Sequence, residues 1–220
     1  MKPEVKSIEK TVYPPAKKPV YRAIKGVLDL LLSTLLFVVF LPLFIIFFLI
    51  IFFTDFHSPI FRQTRIGKNG KEFKLIKFRT MKYDASDFEK YFTKDQLKLY
   101  HAEYKLEDDP RITGIGKFMR RFSIDELPQF LNVIAGHMSL IGPRPLTQKE
   151  TMFFGEDREA LLSVKPGITG LWQVSGRNAL TYESGERQRC EMRYINGFGF
   201  KMDFKIFLKT FKEIFSGSGK

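Results

Sequence analysis

Two adjacent carboxylates sit inside a strongly basic stretch, Arg120-Arg121-Phe122-Ser123-Ile124-Asp125-Glu126-Leu127-Pro128-Gln129. An ionised carboxylate beside guanidinium groups at a helix start can attack a phosphorus atom, or hold Mg²⁺ against a diphosphate. Two acids among several cations suit phosphoryl transfer, where positioning and charge neutralisation supply most of the catalysis. The accompanying cations fall in short segments: Lys77 and Arg79 in KFRTM, Arg111 in DDPRIT, Arg120 itself, and Arg144 in IGPRP. The two prolines around Arg144 stiffen the backbone that would aim it. A purely structural reading fits the acids as well. Ser123 and Glu126 have the spacing of a capping box, and acids suit the first turn of a helix. Other phosphate and nucleophile motifs are missing from the sequence. There is no P-loop, Met119 stands where Gly114-x-Gly116 would need its third glycine, and neither G-x-S-x-G nor H-E-x-x-H occurs.

These residues need elements to hold them. IFRQTRIGKNGKEFKLIKFRTM reads as two strands joined at Asn69-Gly70, which places Lys77 and Arg79 near the end of the second. Tyr83–Leu106 reads as a helix stopped by Asp109-Pro110, and Ile124–Ala135 as another closed by Gly136. In Met202–Phe215, Phe204, Phe207, Leu208, Phe211 and Phe215 form one stripe, with Lys201, Lys205, Lys209 and Lys212 opposite. That stripe suits either a bilayer interface or a protein core.

Upstream, Leu30–Phe53 runs 24 residues without a charge. As a straight helix it would reach about 36 Å, enough for a hydrocarbon core of about 30 Å. It is too long for a signal-peptide core, and no small-residue cleavage site follows it. Met1–Gly26 carries seven Lys/Arg against two Glu, and Thr54–Lys82 carries eight against one Asp and one Glu. A single crossing leaves one basic flank on the wrong side of the membrane. Pro42 near the middle removes a backbone donor and bends the chain, so a helix that dips in and returns suits both flanks; proline is also tolerated in spanning helices. On these grounds residues 1–19 form a flexible basic arm, 20–53 a membrane-embedded helix, and 54–220 the catalytic domain.

With 220 residues, 36 Lys+Arg and 24 Asp+Glu, the chain has a net charge of +12 and needs an anionic partner. Candidates are nucleic acid, an acidic membrane surface or a phosphorylated substrate. No nucleic-acid-binding motif is present, so no nucleic-acid partner is expected. The lone cysteine, Cys190, rules out an intramolecular disulfide and any multi-cysteine zinc site. His57, His101 and His137 are scattered without ligand spacing. A non-catalytic membrane adaptor that binds anionic lipid would explain the charge and the anchor. It would not explain acids inside the basic cluster.

FRQTRIGKNGKEFKLIKFRTM, DDPRITGIGKFMRRFSIDELPQFLNVIAGHMSLIGPRP and KPGITGLWQVSGRN together resemble the bacterial sugar transferases, the monotopic polyprenyl-phosphate phosphoglycosyl transferases. The likeness covers roughly Val20 to Phe215. It implies a mainly helical α+β fold: an N-terminal re-entrant helix broken at Pro42, and a compact membrane-associated catalytic domain with a small β-hairpin and interfacial amphipathic helices. It implies a bacterial inner-membrane enzyme with its catalytic domain on the cytoplasmic face. Such an enzyme starts a capsule, exopolysaccharide or O-antigen glycan by moving a sugar 1-phosphate from a UDP-sugar to undecaprenyl phosphate, releasing UMP, with Mg²⁺ as cofactor. The family's acidic dyad falls on Asp125 and Glu126, with Asp125 as the expected nucleophile and metal ligand. Its phosphate-facing positions fall on Lys77, Arg79, Arg120 and Arg144. The KPGITG stretch is similar to hexose-1-phosphate transferases, which implies glucose or galactose over N-acetylated sugars. Two departures stand out. Glu191-Met192-Arg193-Tyr194-Ile195-Asn196 replaces an acid followed by paired tyrosines and an Asn, and the chain looks like the minimal form, without the extra spanning helices of larger members.

Overall fold

Leucine, phenylalanine and isoleucine dominate a 37-residue helix, α1 (Pro19–Asp55), which begins at a proline whose missing N–H is harmless there and stops at Phe56 in the left-handed region. The structure, a computed structural model, describes residues 18–103, 106, 108–176 and 180–216, so most of the expected basic arm lies outside the described residues. The break expected at Pro42 does not divide α1: Pro42 lies inside the helix. A proline removes one backbone donor, and the hydrogen bonds of the neighbouring turns carry the helix past it.

Both ends of α1 are fastened to the rest of the chain. Near its start, Asp29 accepts from Ser139 Oγ (2.7 Å) and from the Leu140 amide (3.1 Å). Toward its end, Phe47 and Ile51 pack with Phe78 and Met119. Between them, Val38, Val39, Phe40, Leu41 and Pro42 are all exposed. Five consecutive residues cover every side of a helix, so the middle of α1 stands free.

The hairpin forms as its Asn-Gly turn dictates: β1 (Ile60–Ile66) pairs antiparallel with β2 (Glu72–Phe78), with Phe61 opposite Lys77. Asn69 and Gly70 both take positive φ in the turn. On β2, Phe73, Leu75 and Lys77 share one face by the two-residue period, so Lys77 extends a row that begins in the core.

The long helix expected over Tyr83–Leu106 is instead two short ones, α2 (Phe88–Tyr91) and α3 (Lys94–Glu103). Asp87 accepts from the Lys90 amide, and Thr93 exchanges bonds with Gln96, so these side chains start new helices where a continuous one would need helical backbone. Helix α4 (Gly114–Arg121) is capped by Thr113, whose hydroxyl accepts from the Gly116 amide. An added Cβ on Gly116 would stand 2.0 Å from the Thr80 carbonyl oxygen, so only glycine allows this close approach.

The helix expected over Ile124–Ala135 is also shorter. Ile124–Glu126 forms a 3-10 turn, and α5 (Gln129–Ile134) begins only after Pro128, which lacks the N–H that a continuous helix requires. Ser123 takes positive φ and makes no side-chain cap, so the expected capping box is absent there. One forms instead at Thr147 and Glu150, opening α6 (Gln148–Thr151). A short parallel pair, β3 (Ser139–Ile141) with β4 (Gly167–Thr169), joins two distant motifs. Helices α7 (Arg158–Leu161), α8 (Glu186–Gly197) and α9 (Phe200–Ser216) complete the chain. A core of Ile141, Leu146, Tyr194, Phe198 and Ile206 also takes in Tyr21 of α1. On α9, Asp203 and Ile206 face inward while Phe204, Phe207, Leu208, Phe211 and Phe215 are exposed, so its aromatic stripe is not core.

Candidate active site

Strand β2 and the DELPQ turn meet through one amide side chain. Buried Asn132 on α5 accepts from the Ile76 amide (2.9 Å) and donates to the Lys74 carbonyl (2.8 Å), satisfying the free edge of β2 and fixing the 3-10 turn beside it. The Lys77 ammonium consequently lies 3.2 Å from Glu126 Oε1 and 3.9 Å from Asp125 Oδ2. Arg120 Nε donates to Thr80 Oγ1 (2.9 Å), and its charge also acts on Asp125.

Asp125, expected from sequence as a carboxylate held ionised among cations, does lie beside Lys77 and Arg120 but is largely buried. It is only 7% exposed, and burial raises its pKa, as does Glu126, against the lowering influence of Lys77 and Arg120.

Arg144 arrives by a different route. The IGPRP turn is clamped to KPGITG by Gly142 N–H to Thr169 O (2.9 Å) and Gly167 N–H to Pro143 O (2.8 Å). A Cβ on Gly167 would lie 2.1 Å from Gly142 N, which explains the glycine at that contact. The clamp brings Arg144 into one cleft with Lys77, Glu126, Gln129 and Arg65.

Behind the cleft lies a buried set of which sequence reading singles out only Arg144 and Glu191. The Arg144 and Arg187 guanidinium groups stack on Trp172 at 5.2 and 4.3 Å, and Arg187 lies 4.0 Å from the Tyr182 ring. Burial pushes Glu150 up, but Arg65, Arg144 and Arg187 outweigh it and hold its carboxyl below the usual range. Glu191 is 1% exposed; its Oε1 accepts the Arg144 amide (3.1 Å), and burial drives its pKa up to about 7. The Arg/Glu spacing in sequence carries no sign of this network, because Arg65 and Glu150 are 85 positions apart.

Two expected phosphate binders are otherwise engaged. Arg79 forms two 2.6 Å bonds to Asp55 and a third to the Ser58 carbonyl, tying the foot of α1 to the end of β2. Arg111 is 4% exposed, bonded through Nε and Nη2 to Asp109 and stacked on Phe88, Phe92 and Tyr100. Its guanidinium is held in an aromatic cage, so the structure does not bring it to the dyad. Of the five cations expected at the dyad, Lys77, Arg120 and Arg144 are gathered there.

Among the described residues no three His, Cys, Asp or Glu converge on a cation site. Mg²⁺ requires less, since one or two carboxylates plus substrate phosphates suffice. The Asp125–Glu126 pair fits that role, because both carboxylates already face one cation, the Lys77 ammonium.

Comparison with known proteins places these residues in context. A family model described as bacterial sugar transferase matches residues 20–217. The galactosyl transferase CpsE of Streptococcus agalactiae is 48% identical over 160 residues, covering 73% of this chain and 35% of that protein. The exopolysaccharide production protein ExoY of Sinorhizobium fredii is 34% identical, covering 96% of this chain and 95% of its own length. The UDP-glucose:undecaprenyl-phosphate glucose-1-phosphate transferase of Escherichia coli is 35% identical over 88% of this chain and 40% of its own. The chain thus spans about a third of CpsE and nearly all of ExoY.

Proposed function

Since this chain belongs to the bacterial sugar transferase family, we propose that it transfers a hexose 1-phosphate from a UDP-sugar to undecaprenyl phosphate and releases UMP. The observation that carries this reading is the Lys77 ammonium facing both Asp125 and Glu126 beside a cleft that also holds Arg144. Relatives named for galactosyl and glucose 1-phosphate transfer support a hexose donor.

In the first step an Asp125 carboxylate oxygen attacks the β-phosphorus of the UDP-sugar. The bond from that phosphorus to the bridging oxygen breaks, and UMP leaves with the electron pair. An aspartyl-phosphosugar, an acyl phosphate, remains. In the second step a phosphate oxygen of undecaprenyl phosphate attacks the same phosphorus and frees the carboxylate, forming the lipid diphosphate sugar. Dividing the transfer this way replaces one difficult displacement by two easier ones. Lys77, Arg120 and Arg144 offset charge on the diphosphate, and Glu126 orients the incoming group. Mg²⁺, held by Asp125 and Glu126, would supply further charge neutralisation when bound.

The reading extends to the membrane. A crossing helix separates its ends by a bilayer, whereas both ends of α1 are fastened to one domain and its middle is free. This supports a re-entrant α1 that bends at Pro42 without breaking and dips its free middle into the inner membrane, with the catalytic domain on the cytoplasmic side. The outward phenylalanines of α9 support an interfacial seat.

The test is to incubate the enzyme with UDP-glucose or UDP-galactose labelled at the β-phosphorus, without lipid acceptor. Label is expected on the peptide containing Asp125 and is removed by hydroxylamine. Asp125→Asn abolishes it and lowers UMP release by about 10³-fold or more. Label on Glu126, or none, overturns the mechanism.

A further inference from the structure

A second cavity opens beside the first turns of α1. It holds about 110 Å³, room for a group the size of a phosphate, and shares no lining residue with the cleft of Lys77, Glu126 and Arg144. Arg22, Lys25, Lys68 and Lys165 all contribute to its wall. One acid, Asp29, also lines it, but Asp29 is held by Ser139 Oγ, the Leu140 amide and Lys25. Lys25 in turn reaches Asp203 at 3.1 Å. Arg22, Lys68 and Lys165 pair with no carboxylate among the described residues. Arg22 Nε and Ser163 Oγ are buried in this wall without a hydrogen-bond partner. Unmatched buried donors beside unpaired cations are costly unless an anion satisfies them.

We propose that this cavity binds a phosphate group distinct from the substrates of the active-site cleft. Ser163 Oγ and Arg22 would donate to its oxygens, and Lys68 and Lys165 would neutralise its charge. Position argues that the phosphate belongs to an anionic phospholipid headgroup. Gly26 lines the cavity, and the exposed apolar surface of α1 starts beside it with Val27 and Leu28 and continues through Leu30 and Leu31, within about 8 Å along the helix axis. Ile141, Val164 and Phe198 add an apolar floor that suits the glycerol end of a lipid better than a hydrated ion. Gly26 lies where the space is open, since a Cβ there meets nothing within 4 Å, so a larger side chain can be placed at this wall. The bound lipid would seat the start of α1 at the bilayer surface.

The site is tested by native mass spectrometry of the full chain released from nanodiscs of mixed phosphatidylglycerol and phosphatidylcholine. Wild-type protein and Asp125→Asn should both retain phosphatidylglycerol, so the result stands apart from the catalytic reading. Lys68→Glu with Lys165→Glu should lower retention at least fivefold, with the thermal midpoint in pure phosphatidylcholine unchanged. Gly26→Trp, which fills the cavity without altering charge, should do the same and serves if the double variant misfolds. Displacement by added inorganic phosphate supports the phosphate site and assigns its occupant to the soluble pool; resistance to it supports the lipid. Equal retention by wild type and both variants, or equal retention of phosphatidylcholine, overturns the proposal.

Discussion

Glu191 is the acid whose chemistry depends most on its surroundings. An unfolded glutamate titrates near 4.3, whereas burial lifts folded Glu191 to about 7 while its Oε1 holds the Arg144 amide. Between those values the folded chain binds the extra proton, so stability is full below pH ~4.3 and declines as pH rises through 7. The decline is on the order of 3 kcal/mol. Glu191→Gln keeps the acceptor for Arg144 and removes the titration. Its thermal midpoint between pH 5 and 8, measured in neutral-lipid nanodiscs, should lack the fall seen in wild type. A slope that persists in the variant would assign the titration to another group. Asp125 follows the same logic: burial raises its pKa, as does Glu126, while Lys77 and Arg120 oppose the rise.

At the level of elements, the site depends on two contacts that carry no charge. Asn132 closes the edge of β2, and Gly116 lets the first turn of α4 rest on Thr80. Gly116→Ala forces α4 away from Thr80, and Arg120 moves with it. A loss of about 1–3 kcal/mol is expected from such overpacking, with at least a tenfold fall in UMP release. Gly114→Ala is the matched control, because its Cβ meets nothing within 4 Å and both quantities should stay at wild-type values. Denaturant unfolding and nucleotide release measure the pair. Asn69-Gly70 announced the hairpin through turn chemistry that acts over four residues. The three-residue strands β3 and β4 announced nothing, since each is too short to show a period and gains its partner only across 28 positions.

For the whole molecule, the decisive property is which side of the membrane each end of α1 occupies. In a Cys190→Ser background, Val20→Cys and Phe56→Cys place thiols at positions 71% and 70% exposed at opposite ends of the helix. An impermeant maleimide should label both only after the inner membrane is opened. Labelling of one of them in intact spheroplasts would establish a crossing helix. The sequence alone determined a long uncharged segment between basic flanks, an Asn-Gly hairpin, and an acidic pair amid cations, because hydropathy, turn residues and composition are properties of neighbours in the chain. Tertiary structure alone decided which cations serve the acids. Arg79 found Asp55, Arg111 found Asp109 and an aromatic cage, and Lys77 and Arg144 converged on one cleft. It also decided that Asp125 is buried. Charges interact through space, and the distances and dielectric that rank those interactions exist only once segments far apart in the chain have packed.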